Sequence, residues 1–281
     1  MDTTVVNTMW AHPPPINGDG TMARRITSQQ PASNYSEAKF AQALDRRMLK
    51  KAPPKFFCGN RSQEERVFTE DELNENARIW FREFEEQIGF YEKLGHDVHW
   101  VLDWTKKWWW AWLVRDLDAV AELCTQDVTY KDPVSFGKTM VGLQEFIDYN
   151  IAFFDAIPDW RYDPLPGQSF LQINPDGTVQ MMVRYLGTGH WDGPLKVYPF
   201  DETAESLPGN GAFMQCSAVD RYYWNADGML YRGETIWDAF EGLQGAGVFP
   251  KAGSLQFKLL MKVLEVPNTA ARLRRSLTGI Q

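Results

Sequence analysis

Histidine and cysteine are scarce in this chain, and basic residues are outnumbered. Four histidines and three cysteines among 281 residues leave little material for a metal centre or a disulfide framework. Cys58, Cys124 and Cys216 are far apart and odd in number, with no C-x-x-C pair, so neither zinc nor thiol redox chemistry is expected and a reducing compartment is the simplest home. His96 and His99 lie three apart, close enough to share an ion, but no other His or Cys spacing joins them. No metal and no cofactor is expected. Lys and Arg number 29 against 37 Asp and Glu, a net charge of −8, which argues against nucleic acid as the main partner because phosphate binding needs a basic face. No apolar run approaches the roughly 20 residues a membrane helix requires. The first twenty residues hold Pro13, Pro14 and Pro15 and acids in place of a basic region followed by an apolar core, so no signal peptide is read and a cytoplasmic location is expected.

What the chain has in excess is tryptophan, twelve in a sequence that is 14% aromatic. Rings of this size fill cores, interfaces and roomy pockets alike. Residues 1–36 are rich in Pro, Gly, Asn, Thr and Ser without periodicity, an arm with no core of its own. Tyr35 to Lys51 has a helical pattern, ended by Pro53 and Pro54. Thr69 and Glu72 form a capping box that opens a long amphipathic helix carrying Ile79, Trp80, Phe84, Ile88 and Tyr91. After a break at Gly95, a second helix presents Trp100, Trp104, Trp108 and Trp112 at intervals of four, a stripe that suits either a core or the wall of a cavity. A further helix runs from Asp116 through Cys124. Another spans Gly142 to Ala156, with Phe146, Ile147, Ile151 and Phe154 inward and Pro158 as its stop.

From Trp160 onward the pattern becomes strands and turns. Runs at 162–166, 170–173, 179–186, 213–224 and 229–237 are divided by the turn signals Asn174-Pro-Asp-Gly177 and Asn225-Ala-Asp-Gly228, and 201–211 reads as a loop. Helices followed by a meander of strands predict an α+β fold with an antiparallel sheet. The tail from Ser254 to Val266 is an apolar helix followed, after Pro267, by Arg272, Arg274 and Arg275. It suits packing on the body, on a second subunit or, less commonly, on a membrane.

Two acids stand out against this pattern. If residues 126–133 are extended, Val128, Tyr130 and Asp132 share one face, so Asp132 is a carboxylate on an apolar face. Such a group must be bonded, paired or held neutral by a raised pKa, the conditions that also make a general acid or base; alternatively it caps the turn at Pro133. Along 213–224, Met214, Cys216, Ala218, Asp220, Tyr222 and Trp224 share a face, which puts Asp220 in the same predicament. Two acids of this kind in one sheet point to a site if their strands are close.

Three segments carry a resemblance. The run Arg115 to Pro133 with Gly142 and its helix, the segment Gly187-Thr-Gly-His-Trp-Asp-Gly-Pro-Leu195, and the stretch Asp220 to Leu230 ending in Trp237-Asp238 together resemble the nuclear transport factor 2-like superfamily, in its ketosteroid isomerase and SnoaL-like polyketide cyclase branch. The resemblance implies a cone of helices against a curved antiparallel sheet, opening on a lipophilic pocket and usually dimeric. The extension would then occupy 1–96, the cone 97–250 and the amphipathic tail 251–281. It places Asp132 where ketosteroid isomerases keep their base and Asp220 where they keep a neutral acid that donates to the oxyanion. Their oxyanion-hole tyrosine falls on Trp108, which can donate one hydrogen bond without a phenol's acidity.

The expected function is a cofactor-independent isomerase, cyclase or dehydratase acting on a hydrophobic, cyclic carbonyl compound. Asp132 and Asp220 are its candidate catalytic groups, with His190 as an acid or as a base oriented by Asp132. Trp108, Trp112, Tyr130, Tyr185, Tyr222 and Trp237 are its candidate substrate contacts. The alternative expectation is a module of the same fold that binds a lipophilic ligand, or assembles, without chemistry.

Overall fold

A computed structural model describes residues 34–54, 66–135, 138–176, 178–196, 206–245, 247–250 and 253–278. The N-terminal arm to residue 33, Cys58, Gly177 and the first part of the 201–211 loop lie outside these residues.

Seven helices and eight strands are described. Helix α1 (Glu37–Ala43) begins at Ser36, whose side chain accepts from the Lys39 N–H. It is shorter than the periodicity suggests. Beyond Ala43 the backbone finds partners elsewhere: Met48 and Leu49 donate to Glu70, and Lys50 donates its N–H to Asp159. These bonds lay residues 45–54 along the body instead of continuing the helix. Helix α2 (Glu70–Lys93) starts at the expected capping box, with Thr69 and Glu72 bonded reciprocally. Helix α3 (His99–Val114) follows and ends at Arg115, which takes a left-handed φ of 66°.

After α4 (Leu117–Glu122), strand β1 (Cys124–Lys131) begins where the sequence suggests helix. Next come β2 (Thr139–Val141), α5 (Leu143–Ala156), β3 (Arg161–Ile173), β4 (Val179–Trp191), the two-residue pair β5 (Leu195–Lys196) and β6 (Ser206–Leu207), β7 (Ala212–Trp224) and β8 (Leu230–Trp237). The two runs expected at 162–166 and 170–173 are one strand whose pairing register shifts between Pro164 and Ser169. The chain closes with α6 (Ala239–Gly245) and α7 (Leu255–Thr278). Helix α7 passes through Pro267 instead of ending there, and Leu255, Leu259 and Val266 are exposed on it.

The main sheet has the order β2-β1-β8-β7-β4-β3. All its pairs are antiparallel except β1 with β8, which run parallel because β1 enters from α4 on the far side of β8. The molecule is thus α+β, with helices against a curved, mostly antiparallel sheet. Alternation along β7 holds as read: Met214, Cys216, Ala218, Asp220, Tyr222 and Trp224 are all buried.

The tryptophan stripe of α3 has two uses. Trp104 stacks on Trp108 at 4.7 Å, and both Trp100 and Trp104 meet Trp224 edge-on. That half of the stripe is core, whereas Trp108 and Trp112 reach a cavity. Residues 66–74 and 46–50 cover the opposite face of β3, β4 and β7. Buried Arg161 pairs there with Asp163 at 2.8 Å and Glu70 at 2.9 Å, and donates to Asn74 and to the Arg46 carbonyl. Gln215 bonds Phe68 and Thr188 on the same side. No helix among the described residues is long and apolar enough to cross a membrane.

Candidate functional site

Helices α3 and α5 and the inner face of the sheet enclose a cavity of about 60 Å³. Its walls follow from periodicity. Helix α3 contributes Trp108 and Trp112, and α5 contributes Phe146, Tyr149, Asn150 and Phe153 at helical spacing. Alternate strand residues supply Tyr162, Tyr185, Trp191, Met214, Cys216, Ala218, Asp220, Thr235 and Trp237, while Tyr130, Asp132 and Val134 come from β1 and the turn after it. Trp160 completes the ring of indoles over Gly187. A Cβ at Gly187 would sit 2.1 Å from the Trp160 ring, so the indole packs against the strand only because that position has no side chain.

Asp132 stands one residue beyond the end of β1, where a short 3₁₀ turn, Pro133–Ser135, begins. Both readings of this residue are realised together. Its Oδ1 accepts the Val134 N–H at 2.8 Å, the turn cap, and it also accepts the Trp237 indole N–H at 3.4 Å. Both bonds fall on Oδ1, and Asp132 lines the cavity. Burial pushes this carboxyl up to about 6, against the lowering effect of Val134, Trp237 and Tyr149. The Tyr149 hydroxyl lies near enough to Asp132 to act on its charge but has no partner of good hydrogen-bond geometry.

Asp220 is held at both oxygens. Tyr222 donates to Oδ2 at 2.6 Å and Thr235, its cross-strand neighbour, to Oδ1 at 2.8 Å. Burial raises this carboxyl to about 7, the Tyr222 and Thr235 bonds oppose the rise, and the Asp132 charge adds to it. Asp132 therefore ionises first, and its charge helps keep the proton on Asp220, so the pair titrates as a unit with unequal members.

A hydroxyl network extends from this pair. Tyr130 meets Thr235 at 3.1 Å, Tyr162 meets Tyr222 at 3.3 Å, and Trp108 donates to the Tyr222 oxygen at 3.1 Å. Tyr130, Tyr149, Tyr162, Tyr185 and Tyr222 all have pKa values well above a free phenol's, first from burial and then from the nearby carboxylates. They remain neutral hydrogen-bond donors across the physiological range.

Seven of the nine residues singled out from sequence line the cavity: Asp132, Asp220, Trp108, Trp112, Tyr130, Tyr185 and Trp237. Tyr222 stands behind Asp220 instead of in the wall. His190 must be corrected. It sits on the other face of β4 from Tyr185 and Trp191, where its Nδ1 pairs with Asp159 Oδ2 at 2.6 Å and its backbone N–H donates to Asp159 Oδ1. A dyad with Asp132 is not formed.

The sequence reading missed Tyr149, Asn150, Tyr162, Trp160 and Thr235. On α5 it selected apolar Ile147 and Ile151 as inward residues; Ile151 is 45% exposed, and the polar pair Tyr149 and Asn150 faces in. The 3.6-residue period through Phe146 and Phe153 is the signal that finds them. Among the described residues no group of three or more His, Cys, Asp or Glu is placed to hold a metal ion.

A family model for the SnoaL-like domain matches residues 105–233, so this part of the chain is similar to that family. The match runs from within α3 through the cavity-lining helix α5 to the middle of β8. Among solved structures, the chain is similar to a candidate polyketide cyclase from Xanthomonas campestris pv. campestris, with 16% identity, 51% of this chain and 94% of that chain covered, and a TM-score of 0.39. It is similar to a candidate SnoaL-like polyketide cyclase from Jannaschia sp. CCS1, with 15% identity, 53% and 92% covered, and a TM-score of 0.41. It is also similar to a nuclear transport factor 2-like protein of unknown function from Burkholderia pseudomallei K96243, with 16% identity, 52% and 95% covered, and a TM-score of 0.38. No curated protein matches the chain.

Proposed function

We propose that this protein is a cofactor-independent acid–base enzyme of the isomerase, cyclase or dehydratase type, acting on a hydrophobic carbonyl compound. One observation carries the reading: two carboxyls line one aromatic cavity without a basic partner, and burial raises them to about 6 and about 7. Near neutral pH the ionised Asp132 removes a proton from the carbon beside the carbonyl. The developing enolate oxygen is met by neutral donors, either the Asp220 carboxylic acid or the phenols of Tyr130, Tyr162 or Tyr185. Proton transfer of this kind contributes about 10²–10⁴-fold, and donors fixed in a dry site add a comparable factor. The proton returned from Asp132 or Asp220 to another carbon gives isomerisation; addition of the enolate to a second carbonyl gives cyclisation.

The cavity is less than half of the roughly 150 Å³ that accommodates benzene. The reacting end of the substrate enters it, and the remainder lies at the mouth. Neither carboxyl of the cavity is paired with arginine: the buried Arg161 faces Asp163 and Glu70 instead.

The test needs no knowledge of the natural substrate. Small ketones incubated with the protein in heavy water should exchange their α-protons, followed by NMR, and Asp132→Asn should slow the exchange by about 10²–10⁴-fold while leaving the circular dichroism spectrum unchanged. Exchange that persists in a folded Asp132→Asn protein would remove Asp132 from the role assigned.

A further inference from the structure

We propose that the cavity recognises a compact organic cation, so that the substrate carries an alkylammonium group beside its carbonyl. The carbonyl half rests on the function proposed above; the cation half rests on the lining alone.

The charge balance of the cavity is one-sided. Asp132 and Asp220 both face it, and no Lys, Arg or His is among its nineteen lining residues. Elsewhere in this protein buried acids have basic partners: Asp163 has Arg161, and Asp159 has His190. Asp132 and Asp220 have only neutral donors, and each is penalised by burial. A positively charged ligand supplies the counter-charge that the chain withholds.

The walls suit that charge. Eleven of the nineteen lining residues are aromatic, among them five tryptophans, the ring whose face attracts cations most strongly. A cation wrapped in methyl groups satisfies both features at once, because its surface is apolar and its charge is diffuse. A hydrated metal ion does not, since it needs several oxygen ligands, and no cluster of three acidic, His or Cys side chains is present among the described residues.

The unpaired polar atoms point the same way. Asn150 is fully buried in the wall of the cavity. Its amide nitrogen donates to the Phe146 carbonyl, and its Oδ1 accepts nothing. With the two carboxyls it adds a further acceptor to the lining of a cavity that holds no cationic side chain. One donor, the Trp112 indole N–H, is likewise buried without a partner and would take the carbonyl oxygen of the same molecule.

The probe is choline, compared with 3,3-dimethylbutan-1-ol, which has the same shape without the charge. Binding is followed by tryptophan fluorescence and calorimetry on the full chain at constant ionic strength. At pH 8, where both carboxyls are ionised, choline should bind at least tenfold more tightly than the neutral alcohol, and this preference should shrink at least tenfold at pH 5. The other titratable groups lining the cavity are the Cys216 thiol and four tyrosines, Tyr130, Tyr149, Tyr162 and Tyr185, which stay neutral throughout. Asp132→Asn and Asp220→Asn should each reduce the preference, and either one suffices if the other misfolds. Equal affinity for the two probes, or a choline affinity indifferent to pH and to both substitutions, overturns the inference. Exchange of neutral ketones without any choline preference sinks the cation while leaving the reaction standing. A carboxylate-dependent choline preference without ketone exchange supports the cation and sinks the reaction.

Discussion

The Tyr222 hydroxyl donates to Asp220 Oδ2 at 2.6 Å, two residues along the same strand, so the strand that presents the acid also supplies the group that tempers it. Trp108 fixes the far side of that hydroxyl through its indole N–H. Trp108 is therefore a residue that positions a donor to an acid. Tyr222→Phe removes a bond that lowers the Asp220 pKa. The carboxyl should titrate higher than in the parent protein, and the alkaline limb of an activity that uses neutral Asp220 should move to higher pH. A pH–rate profile of ketone exchange, with a ¹³C carboxyl titration beside it, checks this.

Stability should carry the mark of the same pair. In the unfolded chain both acids titrate near 4, and in the folded chain they titrate at about 6 and about 7. Between those limits the native state holds more protons than the denatured state, so stability falls as pH rises through that window and the penalty is complete above it. Shifts of this size correspond to at most about 3 to 4 kcal/mol per group. Asp220→Asn, which cannot ionise, should gain about 1–3 kcal/mol relative to the parent on going from pH 5 to pH 8. Urea unfolding at the two values measures it, and the comparison cancels the hydrogen bond that the amide loses at both.

Arg161→Ala should be costly at any pH. The guanidinium is 1% exposed and ties β3 to α2 and to the 46–50 segment; without it Asp163 is left as a buried, unpaired acid. The expected loss is about 3–5 kcal/mol, read as a lowered midpoint in urea. Replacing Arg161 and Asp163 together by Met and Leu should recover much of it, because the pair itself contributes little net stability once its desolvation is counted.

Gly187→Ala tests the wall of the cavity. Its Cβ would displace Trp160, so the variant should lose about 1–3 kcal/mol and alter tryptophan emission, while Asp132 and Asp220 keep their partners. Thermal unfolding and fluorescence together report both effects.

The two carboxylates were legible in the sequence because strand alternation is a local property. Once Met214, Ala218 and Trp224 were assigned to the core, Asp220 had to join them, and Tyr130 did the same for Asp132. His190 failed for a related reason. The sequence pattern ended β4 at Leu186, whereas the strand runs on to Trp191, and in one continuous strand Tyr185 and His190, five apart, cannot share a face. Its partner Asp159 is 31 residues away in sequence, which no local pattern reveals. On α5 the search for apolar residues passed over Tyr149 and Asn150, since a binding cavity inverts the rule that polar side chains point outward. The parallel pairing of β1 with β8 and the irregular 45–54 segment depend on partners far along the chain, Gly233 and Glu70 among them, and so lay beyond local reading.

The account turns on Asp132 and Asp220 forming one unequal, proton-holding pair. The measurement that tests this most directly is a ¹³C NMR titration of the aspartate carboxyls in the parent protein and in each Asn variant. Two resonances should titrate near 6 and near 7, each vanishing in one variant, and Asp220 should titrate lower once Asp132→Asn has removed the neighbouring charge. Two carboxyls that both titrate near 4, each indifferent to loss of the other, would contradict it.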